Sequence, residues 1–484
     1  MQMLNSLKKN NYSMLLDLYE FTMSNGILNS EERDKICYFD MFFRRIPDDG
    51  GFAIMAGLEQ LIEYLQNLSF DDEDIAYLRS LKTFSEEFLD YLANFKFQCD
   101  VWAIPEGTPI FPREPIITVR GPAIQAFIVE TMVLLTINHQ SLIATKANRI
   151  VRAANGRPVM EFGARRAQGT AAAIYGARAA IIGGCVGTSC VQAAQMFDAL
   201  PMGTMAHSWV QLFKSEYEAF CCYAKQYPNN CLLLVDTYNV LKSGVPNAIK
   251  TFDNILKPQG IRPAGIRIDS GDIAYLSSKC RKMLDDAGYS DCKICISNSL
   301  DEYLIRDLLL QGAAIDSFGV GERLITASSE AVFGGVYKLC AVENTQGEII
   351  PKIKISENTS KITIPGVKDI YRLYDNDTNK ALADVICLKG EEINSPYELF
   401  DPEYTWKRKT VDDFYAVPIR KQIFNKGKLV YNCPKLVEIA EYCKKSIDGL
   451  WDEVKRFEKP HNYYVDLSQN LWDLRDRLLK GDKK

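Results

Sequence analysis

The feature that most constrains this chain is a unit that recurs between residues 230 and 322: a short apolar strand, a polar cluster, then a helical stretch. Leu232-Leu233-Leu234-Val235 runs into Asp236-Thr237-Tyr238-Asn239, and Gly265-Ile266-Arg267-Ile268 runs into Asp269-Ser270-Gly271-Asp272. Ile294-Cys295-Ile296 runs into Ser297-Asn298-Ser299, and Ala314-Ile315 leads through Asp316-Ser317-Phe318 to Gly319-Val320-Gly321-Glu322. Short runs that are apolar on both faces and separated by helices bury both faces in a parallel sheet, so these are successive β/α units whose carboxyl ends share one mouth. A barrel and an open doubly wound sheet both satisfy that pattern. Polar clusters at strand after strand, rather than at a single crossover, favour the barrel. The expected fold is therefore α/β, with a parallel barrel over residues 123–330.

Around this core the pattern changes. Residues 1–122 read as a mixed α/β domain, opened by a helix from Tyr12 to Asn25 whose apolar face is Leu15, Leu16, Leu18, Tyr19 and Met23. A long helical pattern follows from Ile124 toward Ala154. Residues 331–405 are β-rich without intervening helices; they either return to complete the N-terminal domain or form a β-unit of their own. Residues 406–484 are expected to be a helical C-terminal segment with a fraying tail at Lys480–Lys484.

Composition narrows the class of partner. The chain carries 57 basic and 62 acidic side chains, a net charge of -5, with no basic stripe, which argues against nucleic acid. Met1–Asn11 lacks an apolar signal core, and the most apolar run, Ala126–Ile137, is short and holds Glu130, so neither a signal peptide nor a membrane span is expected. The 14 cysteines are scattered through apolar segments, as suits free thiols in the cytoplasm. Cys292 and Cys295 form a lone C-x-x-C in a strand, which points to packing rather than metal.

Of the three histidines, His139, His207 and His461, one sits in a glycine-led turn, Gly203-Thr204-Met205-Ala206-His207-Ser208-Trp209, ahead of a helical pattern from Val210 to Tyr223. Such a turn can set an imidazole beside anion-attracting N–H groups. The plainer alternative is that Thr204 or Ser208 caps the helix and His207 is incidental. The strand-end residues collected with it are Glu161-Phe162-Gly163-Ala164-Arg165-Arg166, Gly187-Thr188-Ser189, Asp236, Arg267, Asp269, Asp272, Asn298, Gly319 and Gly321. No lysine ends a strand as a Schiff base would require, and there is no G-x-S-x-G elbow or His-x-His pair. Carboxylates beside a glycine phosphate cradle suggest Mg²⁺-assisted handling of a phosphorylated sugar.

In order and spacing, several stretches resemble the nicotinate phosphoribosyltransferase family in its bacterial form. They are Asp17-Leu18-Tyr19-Glu20, Phe52 to Gln60, Pro105-Glu106-Gly107, Asn138-His139-Gln140, Glu161 to Gly169, Gly203 to Trp209, Val235 to Tyr238, Arg267 to Asp272, Ser297-Asn298, Gly319-Val320-Gly321 and Val336 to Leu339. The resemblance implies a type II phosphoribosyltransferase: an irregular parallel α/β barrel, a mixed α/β domain formed from both chain ends, and a homodimer. It implies transfer of the phosphoribosyl group of phosphoribosyl pyrophosphate to nicotinate, giving nicotinate mononucleotide and pyrophosphate for NAD biosynthesis, with ATP hydrolysis coupled through phosphorylation of His207. It further implies that Tyr19, from the partner subunit, and Phe162 sandwich the pyridine ring, and that Arg165, Thr188, Ser189, Thr204, Arg267 and Asn298 line the nicotinate and ribosyl site. Asp236 and Asp269 would stabilise the ribose cation, Asp269 and Asp272 would take Mg²⁺, and Gly319, Gly321 and the backbone of Glu322 would hold the 5-phosphate. The related nicotinamide enzyme has an acidic residue where this chain has Ser189, so Ser189 favours the carboxylate substrate over the amide. Two positions depart from the family pattern: Cys190 stands where asparagine is expected, and Glu322 puts a carboxylate beside the phosphate cradle.

Overall fold

The computed structural model describes residues 12–358 and 361–481. Met1–Asn11 and the last three residues, on which the readings of the leader and part of the fraying tail fall, lie outside the described residues. The chain forms two compact units, one running through Leu142 and resumed at Val332–Pro434 and from Glu441 onward, the other Ile143–Ala331 with Lys435–Ala440.

The second unit is built on a six-stranded sheet with the spatial order Gly187–Thr188, Val159–Glu161, Ser317–Val320, Lys293–Ser297, Gly265–Ile268, Leu232–Leu234. Every ladder is parallel. Leu233, Leu234, Ile266, Ile268, Ile294, Ile296, Phe318 and Val320 are fully buried, and helices such as Ile273–Asp286 and Glu302–Leu310 connect successive strands. The last strand in sequence pairs with the first. No ladder among the described residues joins Gly187–Thr188 to Leu232–Leu234, so the pairing is that of a parallel sheet and not of a closed ring. The fourth unit sits later than expected: Ala314-Ile315 is not a strand, and Asp316 anchors the start of Ser317–Val320 by accepting from Ile294 N at 2.9 Å. The helix expected over 210–223 breaks in two, His207–Gln211 and Glu216–Gln226, because Ser215 caps a new start by accepting from Glu218 N at 3.2 Å.

The first unit interleaves both halves of the chain. Its seven-stranded sheet runs Ile349–Pro351, Gly335–Glu343, Ile36–Phe43, Ile117–Pro122, Asp100–Ala103, Lys421–Asn425, Lys428–Leu429, and all of its ladders are antiparallel. A four-stranded sheet holds Phe414–Pro418, Lys368–Asp375, Ala381–Leu388 and Val465–Leu467. The expectation of a helical segment from 406 needs correction. Arg408–Val411, Phe414–Pro418, Lys421–Asn425 and Lys428–Leu429 are strands, and among the described residues helices occupy only Leu436–Asp448 and Gln469–Leu479. The local cause of the last hairpin is legible: Lys426 and Gly427 take φ 48° and 75°, the left-handed pair of a two-residue turn. A Cβ at Gly427 would fall 2.0 Å from the Phe97 carbonyl oxygen.

Two further readings change. The first helix is Leu18–Leu28, and the side it buries is Glu20, Phe21, Ser24 and Leu28, whereas Leu15, Leu18, Tyr19 and Met23 are exposed. Glu20 is what turns the helix that way: its Oε1 accepts from Thr131 N at 3.1 Å and from the Thr131 hydroxyl. The segment Ala123–Ala153 is also not short; it is long and apolar enough to cross a bilayer, with a mean hydropathy of 1.3 over its most apolar window. In the structure 61% of that window is buried, as in the core helix of a folded domain.

Candidate active site

The carboxyl ends of the parallel strands gather a charged network in the second unit. Alternation along Gly265–Ile268 buries Ile266 and Ile268 and sends Arg267 to the other face. The adjacent strand places Cys295 opposite Arg267 and ends two residues on at Ser297. Arg267 Nε donates to Ser297 Oγ at 2.7 Å, and Ser297 Oγ donates to Asp269 Oδ1 at 2.5 Å. Arg267 Nη1 reaches the Thr204 hydroxyl at 2.9 Å and the Met205 carbonyl at 3.2 Å, while Nη2 stands 3.5 Å from Asp269 Oδ1. With only 12% of its side chain exposed, the guanidinium is fixed on three sides.

Asp236, just past Leu232–Leu234, accepts through Oδ2 from Asp269 N at 3.2 Å and from the Ser270 hydroxyl at 2.6 Å. Its Oδ1 is buried and has no hydrogen-bond partner. A buried carboxylate oxygen left unpaired is costly, and such an atom at a strand end marks a place for a hydroxyl or a cation. His207 completes the group. Its Nδ1 lies 3.1 Å from the Thr237 hydroxyl and its Nε2 3.9 Å from Asp269 Oδ2. Ala206, not Thr204 or Ser208, occupies the cap position of the short helix that His207 opens, and it makes no side-chain cap. Thr204 is instead tied to Arg267.

The opposite part of the same sheet carries Phe162, whose N–H donates to the Val320 carbonyl at 2.7 Å. Its ring lies against Gly319, where an added Cβ would meet ring carbons at 2.5 and 2.6 Å; only glycine permits that approach. Gly321 backs onto the Phe162 carbonyl, which a Cβ would meet at 3.1 Å. Glu322 is exposed and its carboxylate stands 3.8 Å from Arg166 Nε. Arg165, Ser189 and Asn298 are exposed at this edge. Thr188 is fully buried: its hydroxyl donates to Glu161 Oε2 at 2.6 Å and accepts from Cys190 N at 2.9 Å, so the side chain braces the loop that presents Ser189. Burial pushes the Glu161 carboxyl above its ordinary pKa, opposed by the Thr188 hydrogen bond and by the N–H of Gly163.

Asp272 serves as a helix cap, accepting from Tyr275 N at 3.0 Å. Among the described residues no group of three or more His, Cys, Asp or Glu side chains is arranged to hold a metal. Asp236 Oδ1 and Asp269 nevertheless fit Mg²⁺, which is bound through one or two carboxylates when substrate phosphates supply the rest. Tyr19 belongs to the first unit, where its side chain is 43% exposed and its hydroxyl hydrogen-bonds Glu130; partial desolvation of the hydroxyl and that carboxylate push it well above the ordinary tyrosine range. Sequence reasoning assigned no role to Ser297 or Thr237, which hold Arg267 with Asp269 and His207 respectively. The available signal was their place in the polar clusters, beside residues already singled out.

Family models match nearly end to end: the nicotinate phosphoribosyltransferase N-terminal domain over residues 14–138, the nicotinate phosphoribosyltransferase family over 158–385, and the C-terminal domain over 367–475. The nicotinate phosphoribosyltransferase of Bacillus subtilis is 43% identical over 469 residues, 96% of this chain and 94% of that protein. The chain belongs to the nicotinate phosphoribosyltransferase family. Nicotinate phosphoribosyltransferase pncB2 of Mycobacterium tuberculosis is 37% identical over 97% of this chain and 94% of its own length. The crystal structure of human nicotinic acid phosphoribosyltransferase matches with a TM-score of 0.84 at 27% identity, covering 96% of this chain and 99% of that one. The resemblance read from the motifs is thus borne out, and the Arg267–Ser297–Asp269 network lies within the stretch matched to the family as a whole.

Proposed function

We propose that this enzyme joins nicotinate to phosphoribosyl pyrophosphate, forming nicotinate mononucleotide and pyrophosphate, and couples the synthesis to ATP hydrolysis through a phosphohistidine at His207. The observation that carries the reading is the strand-end network itself: one immobilised guanidinium, two carboxylates and an imidazole. The pyridine nitrogen attacks the ribose anomeric carbon through its lone pair, the carbon–oxygen bond to pyrophosphate breaks, and the leaving group departs with the electron pair. No proton is lost, so the site needs positioning and charge stabilisation rather than a general base. In this reading Arg267 meets substrate negative charge, and Asp236 and Asp269 stabilise the cationic ribose. Mg²⁺, when bound, would neutralise phosphate charge, with Asp236 and Asp269 as its protein ligands and Asp272 capping a helix. In the tautomer that carries its proton on Nδ1 and donates it to Thr237, the Nε2 lone pair of His207 is free to take the γ-phosphoryl group of ATP as the bond to ADP breaks.

Phe162 offers one face to the pyridine ring, and Tyr19 of the partner subunit the other, in a homodimer. The exposed apolar side chains Leu15, Leu18 and Met23 around Tyr19 support such an association. The pairing of the last strand with the first, with a single open seam between Gly187–Thr188 and Leu232–Leu234, supports an irregular barrel that hydrogen bonds do not close. Free thiols at all fourteen cysteines fit a cytoplasmic location. The exposed Ser189, with no carboxylate of its own, favours nicotinate over nicotinamide. Incubation with γ-labelled ATP tests the coupling step: an acid-labile, alkali-stable label is expected on the unaltered protein and absent from His207→Ala, and equal labelling of both would remove His207 from the mechanism.

A further inference from the structure

The first unit holds a cavity of 590 Å³ that the proposed reaction does not use, and none of its lining residues belongs to the unit that carries Arg267. Its floor is rigid. Arg372, fully buried, makes a two-pronged pair with Asp384 at 2.8 and 2.6 Å, and the Tyr463 hydroxyl donates to the same carboxylate at 3.0 Å. The rings of Phe111 and Tyr463 stack over this pair with centroids 4.0 Å apart. Such a floor is set before any ligand arrives.

The walls carry an excess of positive charge. Arg113 stands near enough to lower the pKa of Arg475, after burial the second largest cause, while Glu403, which pairs with Arg113, and Asp476 act on Arg475 in the opposite sense. Arg475 makes no hydrogen bond or ion pair with the described residues, although it is partly buried in helix Gln469–Leu479. Arg113 is held in a left-handed backbone conformation, φ 73°, unfavourable for a non-glycine residue and fixed by its N–H donating to the Phe43 carbonyl at 2.8 Å. Lys409, 5.5 Å from the ring centre of Tyr464, pairs with no carboxylate among the described residues. Asp466, whose carboxyl burial pushes up to about 7, is with Asp401 and Glu403 one of three carboxylates in the lining. Against them stand Arg113, Arg475, Lys409, Lys407 and Arg408, a balance of two cations in excess beside the rings of His461 and Tyr464, in a volume well above that of a bare anion.

We propose that this cavity is a second ligand site, which takes a nucleoside monophosphate. The dianionic phosphate is read by Arg475 and Arg113, and the planar base lies along the aromatic wall. The proposal is independent of the strand-end reading. Calorimetric titration with AMP, using the full chain, tests it with four proteins. The unaltered protein and Arg267→Ala are expected to bind AMP alike, and Arg475→Ala at least tenfold more weakly. Lys409→Gln, at an exposed position, is expected to weaken binding in the same direction and serves if Arg475→Ala lowers the melting temperature. Failure of the unaltered protein to bind AMP would overturn the proposal. So would loss in Arg267→Ala with retention in Arg475→Ala, which would assign the binding to the strand ends. Inorganic phosphate binding as tightly as AMP would overturn the role of the aromatic wall.

Discussion

Ser297→Ala isolates the one hydroxyl on which the strand-end network turns. Ser297 is 5% exposed and carries both the 2.7 Å bond from Arg267 Nε and the 2.5 Å bond to Asp269 Oδ1. Hydrogen bonds to charged groups are each worth about 1.5–3 kcal/mol, so deletion of the pair sets an upper bound near 6 kcal/mol. Two features of the geometry reduce that sum. Asp269 is 34% exposed, so water replaces part of what it loses, and Arg267 Nη2, already 3.5 Å from Asp269 Oδ1, can close directly on it. A net loss of about 2 kcal/mol in transition-state stabilisation follows, or roughly a 30-fold fall in kcat/KM. Initial-rate measurements of nicotinate mononucleotide formation, varying nicotinate and phosphoribosyl pyrophosphate separately, supply the number. Ser297→Thr, which keeps the hydroxyl, is expected to recover most of it. A kcat/KM for Ser297→Ala within twofold of the unaltered enzyme would show that Arg267 and Asp269 do not depend on their bridge.

Gly319→Ala drives a methyl group to 2.5 Å from the Phe162 ring, and overpacking of this kind costs about 1–3 kcal/mol; KM for nicotinate is expected to rise about tenfold, and an unchanged KM would separate Phe162 from the pyridine site. Glu20 gives a pH dependence of stability. Burial lifts its carboxyl to about 8, so its contribution to stability is present below the ordinary carboxylate pKa and is lost as pH rises through about 8. Glu20→Gln keeps an oxygen for Thr131 and cannot ionise; it is expected to melt above the unaltered protein at pH values past about 8 and level with it below about 4.5, and parallel melting curves across that range would contradict the assignment.

Much of the second unit was legible because its signals are local. Apolar strands ending in Asp236, Asp269 and Ser297 announce a parallel sheet, and strand alternation alone sends Arg267 away from Ile266 and Ile268. What the sequence could not supply was cross-strand register. That Ser297 falls between Arg267 and Asp269 depends on Cys295 pairing with Arg267, a relation between residues 28 positions apart. The N-terminal helix misled for another reason. Apolar spacing marks a face but not what covers it, and the buried anchor was a carboxylate, Glu20, held by Thr131 from 111 positions away. In the C-terminal region the expectation of helix covers the charged strands Arg408–Val411 and Lys421–Asn425; the turn at Lys426-Gly427 is the local clue, and pairing with Tyr397–Phe400 and with the distant Asp100–Ala103 decides the outcome.

Purified protein supplied with phosphoribosyl pyrophosphate and Mg²⁺, given nicotinate or nicotinamide, with and without ATP, tests the reaction and its base in one set of product assays. Nicotinate mononucleotide is expected as the main product, formed faster and further with ATP. Preferential formation of nicotinamide mononucleotide, or no mononucleotide from either base, would contradict the proposed function.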